Sequence, residues 1–83
     1  MLSDKSKQIA NKSKKLYDEQ LREKLEGSDH GKFVCIEPQS GEYFVGDTFD
    51  DAVNKAIDTY PDRLTYTLRV GYSAALHLGV MIQ

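Results

Sequence analysis

The residues able to do chemistry in this 83-residue chain are few and scattered. His30 sits in the polar run Ser28-Asp29-His30-Gly31, and His77 in the apolar run AALHLGVMI. Neither belongs to a ligand spacing, and a metal site needs three or four convergent donors. His30 therefore reads as a surface loop residue, and His77 as a residue on the outer face of a last strand. Cys35 lies in KFVCIE, where it reads as a small buried apolar residue; a nucleophilic role would need a neighbouring base and a lowered pKa. Ser73 and His77 can be combined with a carboxylate on paper, but no nucleophile-elbow glycines surround the serine. Asp47, Asp50 and Asp51 gather at a helix start, where the dipole and free amides stabilise carboxylates without an ion. Gly41 and Gly46 flank a strand and form no phosphate-cradling loop. Neither an enzyme nor a bound cofactor or metal is expected.

Binding chemistry is better represented. Residues 1–15 carry five lysines, Lys5, Lys7, Lys12, Lys14 and Lys15, against Asp4, for +4; residues 16–62 carry −8, and Arg63 and Arg69 bring the chain to −2. That balance argues against a surface that binds nucleic acid throughout, but leaves the lysine arm as a candidate for an anionic partner. Tyr43, Phe44, Tyr66 and Tyr72 are spread over strands. Their acidic surroundings favour packing or a dimer surface over base stacking. Arg69, sharing a strand face with Thr65 and Thr67, is the basic side chain most suited to meeting a partner, unless an intramolecular ion pair holds it.

The elements that must position these residues are legible from periodicity. In GDTFDDAVNKAIDTY (46–60), Phe49, Ala52, Val53, Ala56, Ile57 and Tyr60 share one helical stripe, with Thr48 and Asp51 in a capping-box arrangement. From about Ser3 to Glu26 no proline or glycine interrupts the chain, and Ile9, Leu16, Tyr17, Leu21 and Leu25 predict a long helix, with Gly27 as its C-terminal cap. Phe33 to Ile36 is apolar on both alternating faces and must be an interior strand. Pro38 to Gly41 turns the chain into a second strand over 42–45. Leu64 to Val70 alternates as a third. A right-handed crossover puts that strand beside the first, giving an antiparallel sheet of order 2-1-3. Residues 74–82 are apolar enough for a fourth.

The expected fold is thus α+β: a helix over 1–27, then β-β-α-β(-β) over 28–83, in one domain. A single cysteine excludes an internal disulfide and suits a reducing cytoplasm. No apolar run reaches membrane-spanning length.

The run FVCIEPQSGEYFVGDTFDDAVNKAI (33–57) resembles the HicB-type antitoxins of bacterial toxin-antitoxin pairs, which share the strand, turn, strand and G-D-T-hydrophobic-acidic-acidic-A helix start seen here at 46–52. The resemblance implies a β-β-α unit that binds a protein partner. No helix-turn-helix or ribbon-helix-helix segment is recognisable, so operator binding is not expected. More loosely, Tyr17 to Val70 is similar to small uncharacterised bacterial domains, through Gly31-Lys32-Phe33-Val34-Cys35-Ile36 and Arg69-Val70. The expectation is a noncatalytic, antitoxin-like or regulatory module, a homodimer or the binder of a protein partner through its N-terminal helix and exposed sheet edge. Leu16, Tyr17, Leu21, Leu25 and Arg69 are its candidate contact residues. The alternative is a nucleic-acid accessory protein using the five lysines.

Overall fold

The computed structural model describes residues 4–72. An N-terminal helical segment passes through α1 (Asp4–Leu16), a π-helical turn (Tyr17–Leu21) and α2 (Arg22–Ser28). There follow β1 (Phe33–Glu37), β2 (Glu42–Gly46), α3 (Phe49–Thr59) and β3 (Tyr66–Arg69). The sheet is antiparallel with order β2-β1-β3, as the crossover argument requires. The expected fourth strand over 74–82 lies outside the described residues.

Strand β1 dictates the layering. Val34, Cys35 and Ile36 are each 0% exposed, and because successive side chains alternate, both sheet faces must be covered. On one face Val34 and Ile36 join Tyr66, Leu68 and Val70 beneath Ala10, Tyr17, Leu21 and Leu25 of the N-terminal segment. On the other, Cys35 packs with Ala52, Val53 and Ala56 of α3, flanked by Phe33, Phe44, Phe49 and Ile57. Burial of each large apolar side chain contributes roughly 1.5–3 kcal/mol, so neither helix is a dispensable addition.

Local chemistry sets the boundaries. At the start of α3 the Thr48 hydroxyl accepts from the Asp51 amide at 3.1 Å, while the Asp51 carboxylate accepts from the Asp47 amide at 3.2 Å. This reciprocal cap needs a close approach from β2, and a Cβ on Gly46 would stand 2.5 Å from the Ala52 nitrogen. Gly27 is not the cap expected of it. It lies within α2, the Asp29 amide closes the helix on the Leu25 carbonyl, and the positive φ of the loop, 90°, falls on Gly31.

The β1–β2 turn is built around a carboxylate. Glu37 is 0% exposed and accepts from the amides of Gln39 at 2.9 Å and Ser40 at 2.8 Å, and from Arg63 at 3.1 Å. Burial alone would raise its pKa, but the Ser40 hydroxyl, the two amides and Arg63 outweigh it and hold the group below the usual carboxylate range. A depressed native pKa contributes stability that is complete above the unfolded-state value and is lost as pH falls through the native one. Glu37→Gln should therefore cost about 1–3 kcal/mol at neutral pH and flatten the acid limb of the stability profile, as read by urea unfolding between neutral pH and the acid range. An acid limb as steep as that of the unaltered protein would refute this role.

Candidate functional site

The N-terminal segment owes its shape to a spacing of four. Its buried positions include Ile9, Ser13, Tyr17, Leu21 and Leu25. At about 100° per residue a regular α-helix would rotate Leu25 by about 160° away from Ile9, nearly to the opposite side. The π turn absorbs one extra residue, with the Arg22 amide reaching back to the Tyr17 carbonyl, and cuts that drift to about 60°. Both ends of the segment can then face the same sheet.

A second stripe, one residue on, carries Lys14, Asp18, Arg22 and Glu26. These four charges form one wall of a cleft of about 310 Å³, between the π turn and the end of β3, which Tyr17, Tyr66, Leu68, Gly71 and Tyr72 complete. Arg22 lies 3.9 Å from Asp18 and 3.2 Å from Glu26, and the Tyr17 hydroxyl donates to Glu26 at 3.3 Å. Burial pushes the Tyr17 phenol above its ordinary value, opposed by a hydrogen bond with the Gly71 backbone and assisted by Glu26. Burial, then Asp18, does the same to Tyr66. Both phenols therefore remain hydrogen-bond donors across the physiological range.

At the lip, Tyr72 is 49% exposed yet held in place. The Arg69 guanidinium sits 4.2 Å from its ring centre and the His30 ring 5.7 Å away. Arg69 is in turn fixed by its Nε donating to the Gly31 carbonyl at 3.1 Å and by the Phe33 ring at 5.6 Å.

The contact residues expected from the sequence divide accordingly. Tyr17, Leu21 and Leu25 are 6%, 6% and 2% exposed, consumed by the chain's own sheet, because β1 needs a cover on that face. Leu16 is partly buried beside them. Arg69 is neither ion-paired nor free among the described residues; it positions Tyr72. Lys7, Lys12, Lys14 and Lys15 are exposed along α1, and Lys5 belongs to its first turns.

Other candidates have structural employment. Cys35 is fully buried, with burial pushing its thiol up against the weaker influence of Thr65 and Thr67. Asp47 pairs with Lys32 at 3.5 Å and Asp51 with Lys55 at 3.6 Å. Among the described residues no group of three or more His, Cys, Asp and Glu side chains could hold a metal ion, and no helix is long and apolar enough to cross a membrane. Ser73 and His77 lie outside the described residues.

The π turn can be tested by deletion. Removing exposed Glu19 should convert it to regular helix while both flanks keep their faces, leaving the melting temperature within a few degrees of the parent. Removing exposed Lys12 instead rotates Ile9 and Ala10 by about 100° off the core and should lower it markedly. Equal losses from the two deletions would contradict the spacing argument.

Comparison of the chain with protein-family models, with curated proteins and with solved structures finds no match.

Proposed function

We propose that this chain is a noncatalytic protein-interaction module of antitoxin-like or regulatory kind, whose partner docks on the lip of the cleft beside the π turn. The observation that carries this reading is Tyr72, the exposed large apolar side chain among the described residues, immobilised by Arg69 and His30. An aromatic ring already ordered in the free protein loses little entropy on binding, and tyrosine and arginine are the residues in which interface hot spots are enriched. The antitoxin class rests on the resemblance of residues 33–57 to HicB-type proteins.

The edge of β2 is a poorer docking strand. Lys55 donates to the Val45 carbonyl at 2.7 Å, and a charged side chain across an edge is a common device against strand addition.

Light scattering and co-purification should detect a stable assembly, either of this chain with itself or with a second protein. Tyr72→Ala should weaken it by about 2 kcal/mol while leaving the melting temperature nearly unchanged. A monomer without a partner, or an assembly indifferent to Tyr72→Ala, would defeat the reading.

The exposed row Lys7, Lys12, Lys14 and Lys15 supports nucleic-acid binding as the alternative. That version predicts binding to a DNA or RNA oligonucleotide that falls steeply with added salt and is abolished by replacing these lysines with glutamine. Salt-insensitive or absent binding eliminates it.

A further inference from the structure

We infer that the lip of the cleft receives an acidic segment of a protein partner, with Arg69 as the group that pairs with its carboxylate. The inference rests on the protein-partner reading above and adds the partner's chemistry. Arg69 is half-buried and forms no ion pair among the described residues. Its Nε is taken by the Gly31 carbonyl at 3.1 Å, but Nη1 and Nη2 have no partner among the described residues and are not closed off from solvent. Those two nitrogens form a fork that fits a carboxylate. A half-buried cation has lost part of its hydration without gaining a counter-charge, and an incoming carboxylate supplies one.

A second observation is independent of charge. Phe33 stands opposite Arg69 in the β1–β3 ladder with its ring 5.6 Å from the guanidinium, and the Tyr72 ring lies 4.2 Å away. A guanidinium fixed by two rings and a carbonyl gives up little side-chain freedom on binding, unlike a lysine extended into solvent. Shape and neighbouring charge then select the partner. Arg69 and Tyr72 stand at a lip, with Tyr72 49% exposed, whereas small ligands are held in concave sites that bury most of their surface. Lys32, next to Phe33, is already shared between Asp29 at 3.8 Å and Asp47 at 3.5 Å. A nucleic-acid backbone would meet those two acids, while a single carboxylate beside an apolar side chain fits Arg69 and the Tyr72 ring together.

The test is an amide-shift NMR titration of the full 83-residue chain with N-acetyl-Gly-Asp-Phe-Asp-Gly-amide and with the same peptide carrying Asn for both Asp. Saturable shifts are expected around Gly31, Arg69 and Tyr72, with the acidic peptide binding about tenfold more tightly than its neutral counterpart, as befits one charge-assisted pair. That comparison uses the unaltered chain, so no substitution has to fold for it to be read. In Arg69→Met the two peptides should bind alike. Equal binding of the two peptides to the unaltered chain, no saturation by the acidic one at millimolar concentration, or an acidic preference that survives Arg69→Met overturns the inference. A DNA oligonucleotide that moves the same amides at lower concentration than the peptide overturns it in favour of nucleic acid, and movement of those amides when the chain alone is concentrated gives the lip to a second copy instead. Tyr72→Ala should weaken both peptides by the same factor. If it weakens neither, the docking role of Tyr72 fails, while the acidic preference is still decided by the peptide pair.

Discussion

Val34, Cys35 and Ile36 exclude water from both sides of a single strand, and the rest of the molecule is arranged to make that possible. A three-stranded sheet cannot bury its central strand unaided, since each face needs its own cover. The two covers are unequal. Helix α3 follows β2 directly and lays small residues, Ala52 and Ala56, close against Cys35. The N-terminal segment has the longer task, spanning the opposite face from Leu25 to Ala10 with larger side chains.

That longer reach explains the π turn. A spacing of four suits neither an α-helix, which needs 3.6, nor a coiled-coil seam, which needs 3.5. Over one or two turns the mismatch is absorbed by side-chain freedom. Over the distance from Ile9 to Leu25 it is not, and the helix takes up an extra residue where Tyr17 and Leu21 press against the sheet. The bulge also displaces the neighbouring charged stripe. The cleft, with its paired charges and tyrosines, lies beside that displacement.

Polar groups at the margins are handled with comparable economy. Glu37 replaces solvent for the turn amides, Asp51 and Thr48 cap α3, Lys55 covers an edge carbonyl, and Arg69 ties β3 to the loop before β1. Exposed pairs such as Lys55 with Asp51 add little by themselves, because water and salt screen them. Arg69 differs, because it organises neighbours: its guanidinium lies between two rings, one packed on the α3 face and one left at the surface.

The sequence by itself determined the element order, the antiparallel sheet and its central strand. Those follow from periodicity and from the doubly apolar run at Phe33 to Ile36, which are properties of neighbouring residues. The cap at Thr48 was legible for the same reason. The cap at Gly27 was misread, because a glycine can end a helix or continue it, and here tertiary packing carried the helix on to Ser28. The π turn left a trace in the buried spacing of four and in the parallel charges at 14, 18, 22 and 26, but the trace means little until one knows that both ends face one sheet. The candidate contact residues were legible as apolar and helical, while their role was not: whether Tyr17, Leu21 and Leu25 cover this chain or another depends on where the sheet lies. Only the tertiary structure brought Tyr66 and Tyr72 beside Lys14 and Arg22, and only it held Arg69 against Tyr72. The first of these pairings joins residues some forty or more apart, and Arg69, though only three residues from Tyr72, is held there by Gly31 and Phe33 from a distant part of the chain; no local rule specifies either.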